Sequence, residues 1–223
     1  GGLKQQVEAG VQKITVDGRT PAGQIRDCHQ VVHGLRVRME QLAVRLVKLL
    51  RTEKIELAHY GQLAKEEQAQ VRAEYMRSVY PLVTPQSVDP AHPFPFVSNL
   101  SLNLLVTLRY PGDTELSLAR VKVPVGAGAR RFLRIGARDR FVPLEEVLCH
   151  NLDLLFPGME IVRCELFRVT RNANAEKNEE GADDLVALIE SELQERRFAP
   201  IVRLEVIPGM EPVHRGRLTS ELD

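Results

Sequence analysis

Nowhere does the chain reach the 18 or so apolar residues that a membrane-crossing helix needs, and no signal peptide opens it. An excess of either charge is missing too. The 30 lysines and arginines balance 30 aspartates and glutamates, for a formal net charge of zero. A free-standing binder of a polyanion is expected to be basic overall, so any contact of that kind must come from a local patch. Cysteine is scarce: Cys28, Cys149 and Cys164 are odd in number and widely spaced. That argues against a disulfide framework and a zinc site, and it fits a reducing cytoplasm. The GxxxxGK and HExxH patterns are absent. At 223 residues there is room for one large domain or two small ones. Gly1-Gly2-Leu3-Lys4 opens within helical sequence, so a truncation upstream is expected.

What is present divides by period. Residues 3–13 read as the end of a helix, stopped by Asp17-Gly18. A second helix starts at Thr20-Pro21, with Thr20 as N-cap and proline at the first helical position. Along it Ile25, Cys28, Val32, Leu35, Met39, Leu42, Leu46 and Leu49 alternate spacings of three and four. This is a heptad seam that calls for a neighbouring helix of the same or a second chain. Arg36, Arg38, Arg45, Lys48 and Arg51 lie off the seam. A third helix, about 64–80, packs Val71, Tyr75 and Val79, and the boundary between domains falls near Lys54.

From Leu100 the period becomes two. Leu102, Leu104, Val106, Leu108 and Tyr110 share one face of a strand, and Pro111-Gly112-Asp113 turns it. The return strand, about 115–124, changes phase between Leu118 and Val121, which predicts a bulge near Ala119. Gly126-Ala-Gly128 turns the chain into a strand at 132–135. A helix from Pro143 follows, then a central strand over 160–170, an acidic helix over about 182–198 and a last strand around Val202–Val206. The order argues for an α+β fold: an N-terminal helical hairpin or bundle remnant (1–54), then a mixed, mainly antiparallel sheet partly covered by helices (55–223).

Chemistry is thinly marked. His29 and His33 are four apart on a helix, yet no third ligand has suitable spacing, so no metal site is expected. His92 beside Asp89 reads as a tie within a rigid loop, and His59, His150 and His214 have no local partners that would mark a nucleophile. The glycines at 126–128 precede a strand, whereas a phosphate loop needs a helix whose N–H groups point at the anion. Around them Arg120, Lys122, Arg130, Arg131, Arg134, Arg138 and Arg140 face only Asp139. That patch is read as a solvated face or an acidic-partner contact, with polyphosphate as the functional alternative. Glu176–Glu195, its acidic counterpart, reads as a solvated helix face. Arg168 and Arg171 end the central strand and are the candidate anion-binding residues, because a guanidinium offers two parallel N–H donors to a phosphate. A structural ion pair is the competing reading of both.

Two segments carry a resemblance. One is the run from Pro81 to Leu104, in which five prolines within residues 81–95 forbid a helix before a strand begins. The other is Phe167-Arg168-Val169-Thr170-Arg171-Asn172-Ala173, which is similar to an FR-x-TR-(D/N)-A segment. Together they resemble the head domain of the polyphosphate kinases that work through a phosphohistidine, most strongly at 78–108 and 165–173. The resemblance implies a parent reaction: reversible transfer of the terminal phosphoryl group of ATP to polyphosphate. It also implies that the phosphoacceptor histidine, the magnesium ligands and most ATP contacts belong to C-terminal domains beyond Asp223, and an adenine-contacting segment to residues upstream of Gly1. Expected here, then, are no catalytic, cofactor-binding or metal residues. Expected partners are the missing catalytic domains, other subunits of a cytoplasmic homo-oligomer and polyphosphate, with nucleic acid not expected. Two alternatives stay open: an adaptor working through its helical seam, and a nucleic-acid-binding module using the basic patch.

Overall fold

The computed structural model describes residues 2–89, 92–126, 128–137, 139–172 and 199–222. It divides into two compact units, Gly1–Glu56 and Leu57–Asp223. The acidic helix expected over 182–198, the carboxylates of Glu176–Glu195 and Arg138 lie outside the described residues.

The first unit holds α1 (Gly2–Glu8) and α2 (Pro21–Thr52). α1 stops earlier than its pattern suggested, and Gly10 follows at φ 71°. α2 begins as expected: Thr20 accepts from the Gly23 amide at 3.2 Å, and Pro21 opens the first turn. Its end needs no glycine. Lys54 takes the left-handed conformation at φ 61°, while Ile55 and Lys54 donate to the carbonyls of Leu50 and Arg51. That is the bonding of a Schellman stop. Within the first unit the seam stays exposed. Leu35, Met39, Leu42, Leu46 and Leu49 are all about half exposed or more, and only Pro21 and Gly23 of α2 are buried.

The second unit is α+β. β2 (Pro85–Val88), β3 (Leu102–Arg109), β4 (Ser117–Lys122), β7 (Glu160–Arg171) and β8 (Ile201–Val206) form one sheet in the order β2-β4-β3-β7-β8. Every strand pair in it is antiparallel. β1 (Glu56–Leu57), β5 (Phe132–Arg134) and β6 (Arg140–Pro143) make a small sheet ordered β1-β6-β5. α3 (Lys65–Ser78) and α4 (Leu144–Cys149) cover one face of the large sheet, and α5 (Pro212–Glu221) the other.

Both faces are buried. Val71, Tyr75, Val79, Leu104, Val106, Val121 and Leu148 belong to the main core, while Val97, Leu105, Phe167, Val169, Met210 and Leu218 fill a second one. This double burial corrects the bulge expected near Ala119. The β3–β4 register runs unbroken from Asn103↔Lys122 to Leu108↔Ser117. Leu118 and Val121 differ in phase because they serve opposite cores; the irregularity sits instead between Thr107 and Leu108, against β7. Part of the proline run is also a strand: β2 starts on Pro85 at the sheet edge, where a missing N–H costs no ladder bond. β6 and α5 have no counterpart in the sequence reading, being too short or too weakly periodic to announce themselves.

One cysteine expectation is overturned. Cys149, at the end of α4, and Cys164, on β7, form a disulfide with their Cα atoms 6.1 Å apart. Fifteen residues separate them in the chain, and only the packing of helix against strand brings them together.

Candidate functional site

The candidate arginines sit at the inner end of β7, on opposite sides of a register shift between Thr170 and Arg171. Arg171 turns into the proline run. Its Nε and Nη2 donate to the Val97 carbonyl at 3.0 and 2.9 Å, and Nη1 to the Ala199 carbonyl at 2.7 Å. Its guanidinium lies over the Phe96 ring, 4.7 Å from the centroid, and its backbone N–H donates to Asn99 Oδ1 at 2.8 Å. The pKa is lowered by burial alone. Leu100, in the left-handed region at φ 57°, donates its amide to Val169 at 2.9 Å. A leucine accepts that conformation at a cost of about 1–2 kcal/mol, which these contacts must offset.

Arg168 points to the other face and is paired: its Nε and Nη2 donate to Glu205 Oε2 at 2.9 and 2.8 Å, and Arg203 reaches the other oxygen. Both candidates are therefore committed to groups within this chain, Arg168 to a carboxylate and Arg171 to main-chain carbonyls.

The basic stretch breaks up in the same way. Arg131 pairs with Glu145, Arg134 with Asp139 and Arg140 with Glu67. The Arg131 pKa is pushed down, first by burial and then by Arg168 nearby. Arg130 is exposed and has no ion-pair partner among the described residues, as is Lys122. Arg130, Phe132 and Arg134 border a groove of about 550 Å³ with Gln70, Glu74 and Gly128. The glycine turn leads into β5, a strand and not a helix, so it presents no helical N–H groups to an anion.

The histidines do find partners, distant in sequence. His59 Nδ1 lies 2.9 Å from Glu146, and His150 accompanies the Glu146 carbonyl while stacking on Tyr60. His92 meets Asp89 at 2.9 Å, the tie its spacing suggested. His214 is buried with Glu165, Nδ1 to Oε2 2.5 Å, and Thr107 Oγ1 is 3.5 Å from its other nitrogen. Glu165 also accepts from the Glu211 amide at 2.7 Å, so this network fastens α5 to the sheet. Sequence reasoning missed it. The available signal was Asn103 and Thr107, polar residues on the second face of a strand buried on both sides. No group of three or more His, Cys, Asp or Glu able to hold a metal ion occurs among the described residues.

Residues 66–223 match the family model described as the polyphosphate kinase middle domain. The chain belongs to the polyphosphate kinase family. Similar family members include the polyphosphate kinases of Thermosynechococcus vestitus, 43% identical over 100% of this chain and 31% of the relative, and of Synechocystis, 43% identical over 99% and 32%. That of Mycobacterium ulcerans is 40% identical over 100% and 31%. This chain thus spans about a third of the length of the curated relatives it matches. In fold it is similar to the crystal structure of polyphosphate kinase from Porphyromonas gingivalis, with a TM-score of 0.57 at 20% identity over 79% of this chain and 30% of that one. The resemblance carried by the proline run and by Phe167–Ala173 is borne out. No helix among the described residues is long and apolar enough to cross a membrane.

Proposed function

We propose that the chain is the structural middle of a polyphosphate kinase, joining the end of an N-terminal helical domain to a head domain. The parent reaction is the reversible transfer of the ATP terminal phosphoryl group to polyphosphate through a phosphohistidine. The carrying observation is the middle-domain match in a chain about a third as long as its relatives. ATP, magnesium and the acceptor histidine fall to other parts of the parent. Within this chain, arginines held by Glu145, Asp139, Glu67 and Glu205 support a role in building the scaffold. The same local neutralisation weighs against a nucleic-acid module. The uncovered seam of α2 is the surface through which the first unit meets further helices of the cytoplasmic, oligomeric parent.

Incubation of this chain with labelled ATP and magnesium tests the assignment. The expected outcome is no incorporation, whereas the full-length parent becomes labelled and forms polyphosphate. His59 and His92, exposed and each oriented by a carboxylate, are the positions to watch. Acid-labile, base-stable label on either would overturn the scaffold role.

A further inference from the structure

Arg120 stands apart from the other arginines of the second unit. It lies in the middle of β4, 4% exposed, with no carboxylate partner among the described residues. A guanidinium stays charged at any pH a protein survives, and a buried charge is ordinarily paired. Arg131, Arg140 and Arg168, all more exposed, each hold a glutamate. Arg120 has only two neutral amides. Its Nε donates to Asn103 Oδ1 at 2.9 Å and its Nη1 to Gln86 Oε1. Asn103 is fixed for this task, because its own Nδ2 donates to the Ser101 carbonyl at 2.8 Å. Burial is what lowers the Arg120 pKa, with no charged neighbour contributing.

The remaining nitrogen, Nη2, has no partner among the described residues. It is not sealed in. The fully enclosed polar side-chain atom that lacks a partner there is the Tyr75 hydroxyl, so Nη2 reaches solvent. On one side of Arg120 lies β2, the edge strand, where its cross-strand partner Gln86 is exposed. Lys122 is two residues along β4, hence on the same face at a Cα spacing of about 6.6 Å. It too is exposed and without a partner among the described residues.

We propose that Arg120 and Lys122, positioned by Asn103 and Gln86, form a phosphate-binding subsite at the β2–β4 edge of the sheet. Two adjacent uncompensated cations call for more negative charge than one carboxylate brings, and a phosphate chain supplies it. The guanidinium edge and the ammonium would then hold successive phosphate groups, one by a directed fork and the other as a point charge. The site is far in sequence from Arg168 and Arg171, and it rests on the reading of this chain as part of an enzyme of phosphate chains.

Thermal unfolding of the chain is measured at matched ionic strength with chloride, acetate, inorganic phosphate and tripolyphosphate. Tripolyphosphate is expected to raise the melting temperature most and inorganic phosphate less, with acetate matching chloride. Gln86→Glu supplies an internal carboxylate to Arg120. It should raise the melting temperature without ligand and remove the phosphate-dependent rise. Lys122→Gln, at an exposed position, should keep the fold and weaken tripolyphosphate binding roughly tenfold, the loss of one charge-assisted contact. A wild-type chain indifferent to both phosphates overturns the subsite. So does a rise that survives in both variants, since the anion then binds elsewhere. An equal rise in acetate would make this a pocket for a protein carboxylate. Polyphosphate synthesis by the full-length parent is a separate measurement, so the subsite can fail while the family function stands.

Discussion

Replacing Arg171 with methionine keeps the aliphatic stem and removes every directed contact of the guanidinium. The Val97 carbonyl, on a residue with no solvent exposure, loses both its donors. Stranding a buried acceptor costs about 1–3 kcal/mol. Ala199 is 9% exposed, so its carbonyl recovers part of its loss from water. Loss of the cation over Phe96 adds about 0.5–1 kcal/mol. Together the substitution should destabilise the second unit by roughly 3 kcal/mol. Arg171→Lys, which keeps the charge but not the planar fork, should cost about half of that. Urea unfolding followed by far-UV circular dichroism gives the magnitude. Hydrogen exchange at the Leu100 amide, bonded to Val169, gives the location. Faster exchange there with a lower urea midpoint at unchanged slope is the expected pair of results. A change below about 1 kcal/mol would refute the clamp, because even one stranded carbonyl should exceed it.

Tyr75 is completely buried, its hydroxyl has no hydrogen-bond partner among the described residues and burial raises its pKa to about 12. Tyr75→Phe should therefore leave stability unchanged or raise it by about 1 kcal/mol, read from the urea midpoint; a loss above that would reveal a hidden bond. The hydrogen bond from Arg72 holds the Asp153 carboxyl below its ordinary 3.8. A depressed acid adds stability above its unfolded pKa and loses it as pH falls through the folded value. The melting difference between wild type and Arg72→Met should thus be present at neutral pH and shrink in acid below about pH 4, and a pH-independent difference would assign it to packing.

The large elements were legible wherever one physical signal dominated. Thr20-Pro21 marks the start of α2 because capping chemistry is local. Val71, Tyr75 and Val79 revealed the buried face of α3 because their spacing depends only on helix geometry. What stayed hidden depended on partners far along the chain. His214 looks unattended until β7 brings Glu165 beside it, 49 residues away in sequence. Cys149 and Cys164 are similar: helix and strand must pack before the sulfurs can meet. The basic stretch is divided by the fold in a way its sequence does not show. Its cations cluster in sequence, but Arg120 is buried on β4 against two neutral amides, while Arg131, Arg134 and Arg140 each meet a separate carboxylate.

The two family-like segments also turn out to be two halves of one contact. Val97, Asn99 and Leu100 come from the proline run; Val169 and Arg171 come from the segment beginning at Phe167. Five prolines leave the run few N–H donors, so its own backbone bonds, such as His92 to Asp89 and Ser101 to Ser98, brace it only locally. Its free carbonyls need donors from outside, and the guanidinium of Arg171 provides several at fixed angles. Phe167 and Val97 meanwhile share the second core, which fixes the strand beneath the loop. A substitution in either segment should then disturb the other. That reciprocity explains how both can be characteristic in wording: each is shaped by the requirement to hold its partner at the sheet end.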